Sequence, residues 1–221
     1  VSDNEERFVV NSQDYKAKAG TETTPDFRTL SWQEKRFYAN AYAKRVGMLA
    51  FPLVGKIPAF SEQWKPLATA IGVRGLPEHW QRATGYALAP IAGSPAAIID
   101  VDQPDVFLGA LLDALPRLRQ TFTIQRGERL HLYVELASAP SWSILSIKNE
   151  AGEVASVRAH GAYAVGPRST HESGDQYIHV AGDRPVKLSP DESARLIALF
   201  NPSPKVTVKP LYEQDGDRES L

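Results

Sequence analysis

The chain has 221 residues, 43% apolar and 23% charged, with a formal net charge of −1, a balance that excludes a globally basic nucleic-acid binder. Its length allows one large domain, or one domain with tails, able to bury about 70% of its extended surface. Cysteine is absent, which excludes disulfides and thiolate zinc sites and leads us to expect a reducing, cytoplasmic setting. No apolar run reaches the ~20 residues of a membrane span. The N-terminus, rich in Asp, Glu and Asn, lacks the basic-then-apolar order of a signal peptide, so no membrane association is expected.

Residues 1–30 are polar, carry both charges and read as an extension, mobile at its start. Ser31 is an N-cap for a helix over 32–46, with Glu34 at the capping-box position and Gly47 as the stop. Phe37, Tyr38, Ala41, Tyr42 and Val46 approximate its apolar stripe. Residues 48–53 read as a strand, turned by Gly55-Lys56-Ile57-Pro58. Short helices are expected over 61–85, where Trp64 and Trp80 pack rather than stack on a ligand. A strand over 86–90 and a turn at Gly93-Ser94-Pro95 follow.

The most informative run comes next, Ala96-Ala97-Ile98-Ile99-Asp100-Val101-Asp102. It predicts a buried strand ending in two carboxylates. Side chains i and i+2 share a strand face, roughly 6–7 Å apart, so Asp100 and Asp102 project together. Two such carboxylates repel unless a cation lies between them, and hard oxygen ligands suit Mg²⁺ or Mn²⁺. Asp-x-Asp also occurs by chance in solvated loops and caps; the apolar run before this one is what puts it at a strand end.

Asp105 is read as the cap of a helix over 106–115, with Leu108, Leu111, Leu112 and Leu115 as core and Pro116 ending it. Arg117, Arg119, Arg126 and Arg129 gather against Glu128 alone, which reads equally as a nucleic-acid surface or a solvated connection. A strand is expected over 121–124, and the cleanest one over 130–136. There Leu130, Leu132, Val134 and Leu136 form a core face, and His131, Tyr133 and Glu135 a polar one. Tyr133 is a candidate for stacking on a base or sugar. Residues 143–147 and 154–157 are strands around an Asn149-Glu150-Ala151-Gly152 turn; 176–180 and 186–188 close the sheet. Ser189 caps a last helix through Phe200, with Pro190 at its first position. Residues 201–221 are Pro-rich, then acidic, a tail or linker. The folded domain is therefore expected over 31–200, α+β in class, with a mostly antiparallel central sheet, flanking helices and an N-terminal helical/strand subdomain.

From about Tyr42 to Val180 these motifs resemble the bifunctional primase/polymerase (prim-pol) domain of the archaeo-eukaryotic primase superfamily. The resemblance is carried by Phe51-Pro52 with Gly55-Lys56-Ile57-Pro58, by Trp64, Ala68-Thr69 and Trp80, by Ile98-Ile99-Asp100-Val101-Asp102, by Arg126-Gly127 with His131-Leu132-Tyr133-Val134, and by the run from Val157-Arg158 through Gly161 to Gly174. It implies an RRM-like catalytic core. It also implies a metal-dependent nucleotidyltransferase that makes or extends primers from nucleoside triphosphates on a single-stranded DNA template, in mobile elements and phages often joined to a helicase. Asp100 and Asp102 match the metal-binding motif, and His131 matches the histidine that contacts the incoming nucleotide. Ser169 and His171 match the Pro-Ser-x-His stretch beside the site, and Lys56 a common basic position. Arg129, Arg158 and Arg168 complete the cationic set available to a triphosphate.

There is one departure. The usual third Asp or Glu, two residues before the arginine of the Val-Arg element, is Ser156 here. Glu153 lies three residues earlier, on the opposite face of a regular strand. A β-bulge would re-aim it, although nothing in the sequence demands one. Ser156 therefore leaves a second reading open, a weakened module that binds nucleotide or single-stranded DNA in replication initiation. A metal-dependent nuclease using the same acidic pair ranks last, because the His and Arg surplus suits triphosphate binding better than hydrolysis.

Overall fold

A computed structural model describes residues 25–60 and 63–200. The expected C-terminal tail and all but the last six residues of the expected N-terminal extension lie outside the described residues.

Helix α1 (Trp32–Val46) begins and ends as the sequence predicts. Ser31 accepts from the Glu34 backbone N–H, Glu34 accepts from that of Ser31, and Gly47 closes the helix in the left-handed region at φ +69°. Its buried face differs from the expected stripe. Lys35, Ala39, Ala43 and Val46 point inward, while Phe37 is 69% exposed. The crowded inter-sheet core takes the small alanines and turns the larger aromatic outward.

Strands β1 (Leu49–Val54), β2 (Ile57–Pro58), β3 (Gly72–Val73), β4 (Gly85–Ala89) and β10 (Ala164–Val165) form one five-stranded sheet, with the short helix α2 (Pro77–Gln81) between β3 and β4. The second sheet has seven strands: β5 (Ala96–Val101), β6 (Thr123–Arg126), β7 (Arg129–Glu135), β8 (Ile144–Asn149), β9 (Gly152–Arg158), β11 (Ile178–Ala181) and β12 (Val186–Lys187). Its order is β11-β6-β7-β5-β9-β8, with β12 also on β7, so β5 is flanked on both sides. Among the described residues only β1–β3 and β7–β12 pair in parallel; the fold is α+β and mostly antiparallel.

Helices α3 (Pro104–Ala114) and α4 (Pro190–Phe200) cover one face of the seven-stranded sheet. Leu108, Leu111, Leu112 and Leu115 pack there against Ile99, Leu132 and Val157, as their spacing predicts. Helix α3 starts at Pro104, two residues before the expected start. Asp105 lies in its first turn, where a carboxylate meets the helix dipole, and is not its cap. The sheet's other face packs on the five-stranded sheet through Ile98, Tyr133, Tyr86 and Leu88. Tyr133 is thus not on a polar face. It is fully buried, edge-on to Phe122 at 5.2 Å, and out of reach of a base.

Period-2 alternation fixes where the acids point. On β5, Ala97, Ile99 and Val101 enter the helix-side core while Ala96 and Ile98 enter the inter-sheet core. Asp100 follows Ala96 and Ile98 on the inter-sheet face, at the end where the two sheets part.

Candidate active site

Asp100 sits directly opposite His131 of β7 on one side and Ser156 of β9 on the other. Asp102 lies one residue past the strand end, its backbone N–H donating to the Val154 carbonyl at 3.0 Å. The same carbonyl accepts from Gln103 N–H, also at 3.0 Å.

That carbonyl belongs to a β-bulge. Along β8, Ile147 pairs with Ala155 and the next residue, Lys148, with Glu153, so Val154 is one residue extra on β9. Val154 and Ala155 both enter the helix-side core. The alternation is thereby shifted by one, and Glu153 turns to the face of Ser156 and Arg158. Carboxylate oxygens of Asp100, Asp102 and Glu153 lie within 4.8 Å of one another. The expectation that Glu153 points away is corrected by this extra residue. Ser156 is fully buried, and its Oγ accepts from Arg158 Nε at 3.3 Å.

The three acids form one wall of a cleft of about 490 Å³ at the open end between the sheets. Cations balance them. Arg158 reaches Asp100 at 2.5 Å and Glu153 at 3.7 Å, and Arg129 reaches Asp102 at 3.0 Å. Burial, then the Asp100 charge, pushes the Asp102 carboxyl above the ordinary carboxylate range. His131 lies 3.4 Å from Asp100 through Nε2. Burial lowers its pKa despite that carboxylate, so the ring is neutral near pH 7 and lies beside Asp100 without forming an ion pair. Its Nδ1 is buried with no partner among the described residues.

Lys56 lines the same cleft from the other sheet, on the two-residue turn between β1 and β2. Glycine at position 55 meets the turn's positive φ of +61°. Tyr163 ties the two sides together: its hydroxyl donates to the Lys56 carbonyl at 2.7 Å, and its own carbonyl accepts from Arg158 at 3.0 Å. His171 stands beside the cleft in a small adjoining hollow with Lys56 and Tyr177, its Nδ1 2.8 Å from Ser173 Oγ.

Two expected contacts are not brought to the cleft. The Ser169 hydroxyl is fully buried and accepts from the Tyr86 backbone N–H at 3.1 Å. It lies so close to β4 that a Cβ on Gly85 would come within 2.7 Å of its own. Arg168 has φ +68° and lays its guanidinium 4.1 Å over the Tyr38 ring of α1. Arg168 lies in the turn after β10, and its side chain lies over α1 instead of reaching the cleft.

Sequence reasoning passed over Arg126 and Tyr177 as site residues. Arg126 and Arg129 are cross-strand partners in the β6–β7 hairpin, and both line the cleft. Like charges held opposite one another are unfavourable unless an anion or carboxylate offsets them, and that pairing was the available signal. Arg126 also lies 5.5 Å over the Tyr177 ring, which leans on His131 at 5.6 Å. The basic run splits accordingly. Arg117 pairs with Glu192 and Arg119 donates to the Leu112 carbonyl, both serving the fold.

The family model described as bifunctional DNA primase/polymerase, N-terminal, matches residues 39–192, more than half of the chain and all of the cleft. A comparison with curated proteins gives no match.

Proposed function

Because the chain belongs to the family of bifunctional DNA primase/polymerase N-terminal domains, we propose that it is a metal-dependent nucleotidyltransferase that makes or extends primers on single-stranded DNA. One observation carries the reading: three carboxylates clustered within 4.8 Å share one cleft with Arg126, Arg129, Arg158 and Lys56.

The donor set fits a hard divalent cation. All three ligands are carboxylate oxygens, and the raised Asp102 pKa, set first by burial and then by the Asp100 charge, marks a cost of ionisation that a cation would relieve. Asp100, Asp102 and Glu153 would hold Mg²⁺ or Mn²⁺. When bound, such a cation supplies charge neutralisation and a more acidic primer hydroxyl. In the reaction the primer 3′-oxygen attacks the α-phosphorus of the incoming triphosphate. An O–P bond forms as the bond to pyrophosphate breaks, and the hydroxyl proton is released. The chain's own part is positioning and charge stabilisation. Arg126, Arg129 and Lys56 bind phosphate oxygens, the arginines as planar forks. Neutral His131 offers Nε2–H toward the nucleotide, and Tyr177 braces its ring. Arg158 holds the Asp100 and Glu153 carboxylates in place. His171 borders the triphosphate end beside Lys56, while Ser169 and Arg168 support β4 and α1 behind the site.

The weakened-module reading rested on Ser156. Glu153, lying beside Asp102, supplies the third carboxylate that reading lacked, so turnover is expected. Primer extension and unprimed synthesis, run with deoxy- and ribonucleotides and with each metal, test the proposal. Incorporation lost in both D100A and D102A supports it; activity retained in both overturns it. Nucleotide or strand binding without product in the wild type would favour the weakened module.

A further inference from the structure

A second recess opens where α1, β3, α2 and the segment after β2 meet, and it shares no lining residue with the acidic cleft. It has a volume of about 360 Å³ and is lined by Arg36, Arg74, Phe60, Leu67, Leu76 and His79, among others, with no aspartate or glutamate among the described residues. Phe60 is shared with a shallower hollow, also free of described carboxylates, that includes Val54, Pro58 and Arg82. Val54 and Pro58 flank the turn bearing Lys56, which lines the acidic cleft. The β1–β2 hairpin thus borders the acidic cleft through Lys56 and, through Val54 and Pro58, the hollow that adjoins the Arg36–Arg74 recess.

The hairpin and the rim of the recess combine cations with exposed apolar side chains. Val54 (43%), Ile57 (72%), Ile71 (51%) and Leu76 (57%) are half of the large apolar side chains exposed among the described residues. Neither Arg36 nor Arg74 has a carboxylate partner within salt-bridge distance among the described residues. His79 Nδ1 accepts the Leu76 backbone N–H at 3.1 Å, which leaves Nε2 as the ring atom free to meet a ligand. The ring packs against Phe60 at 5.7 Å, and Phe60 in turn packs edge-on to Phe51. Arg82 donates to the Ala59 carbonyl and so fixes the segment carrying Phe60. Guanidinium groups beside an apolar and aromatic wall suit a chain with phosphates on one side and flat bases on the other.

We propose that this recess binds a nucleotide unit of single-stranded DNA, with Arg36 and Arg74 on phosphates and His79 and Leu76 against a base, anchoring the template outside the acidic cleft. The proposal rests on the polymerase reading for the identity of the strand.

Anisotropy of a fluorescein-labelled thirty-nucleotide oligo-dT, titrated with the full chain over a range of salt, tests it. The double variant R36A/R74A should weaken binding about 10-fold and flatten the plot of log affinity against log salt by about 1.4, two phosphates at roughly 0.7 each. R36K/R74K, which keeps both charges, should restore the salt slope. Circular dichroism, together with triphosphate binding, identifies an intact fold and cleft in each variant. An R36A/R74A protein that is folded and binds the strand with wild-type affinity and slope overturns the inference while leaving the polymerase reading standing. So does a recess that takes free dAMP while strand binding ignores the substitutions. A wild type that binds no single strand at all overturns both.

Discussion

Glu153 and Ser156 can be told apart by what each touches. Glu153 shares a 4.8 Å cluster with two other carboxylates, whereas the Ser156 hydroxyl only accepts from Arg158. Glu153→Gln is therefore expected to cut nucleotide incorporation by more than about 100-fold, the most that losing a merely supporting group costs. Ser156→Ala should cost less than about 10-fold by the same scale. Steady-state primer extension at saturating metal measures both, and equal losses would remove the distinction. Asp100, Asp102 and His131 were legible in the sequence because strand alternation fixes i and i+2 on one face. Glu153 was not, because the extra residue at Val154 is held by hydrogen bonds from Asp102 and Gln103, about fifty residues away along the chain. Arg168 and Ser169 misled for a related reason. A motif names residue types, but the local backbone decides which way they face.

At the scale of elements, local signals carried the helices well. The Ser31–Glu34 box and Gly47 bound α1 at the residues expected. Ser31→Ala should lower stability by about 1 kcal/mol, seen as a shifted urea midpoint with an unchanged slope. Leu111 is fully buried between α3 and the seven-stranded sheet, so Leu111→Ala should cost about 2–5 kcal/mol in the same experiment. The rotation of α1, which exposes Phe37 and buries Lys35, escaped periodicity because a tertiary partner set it. Lys35 Nζ reaches the Gln81 and Ala83 carbonyls at the end of α2, and a buried ammonium on two carbonyls anchors the helix face more firmly than a weak apolar stripe.

Across the whole molecule, distant segments are joined by a few polar ties. Asp26 holds Arg28 and also accepts from Thr170 Oγ1 at 2.9 Å, linking the start of the described chain to the loop after β10. The Arg28 side chain, chiefly, holds the Asp26 carboxyl at about 2. A carboxylate depressed in the folded state adds stability above its unfolded value, near 3.8, and loses it as pH falls toward 2. Asp26→Asn should thus lower Tm at pH 7, and the gap from wild type should close between pH 4 and pH 2; a gap that persists below pH 2 would show that the tie is not electrostatic. The two-sheet architecture was only partly legible. Which strands join which sheet depends on long-range pairings such as β4 with β10, which no local window contains. Asp100, finally, lies on β5, a strand with neighbours on both edges and packed cores beneath it. Amide deuteration there should be the slowest in the protein, set by global rather than local opening. Gentle heating or clipping that loosens the periphery would consequently leave the acidic centre assembled, and inactivation should coincide with complete melting instead of preceding it.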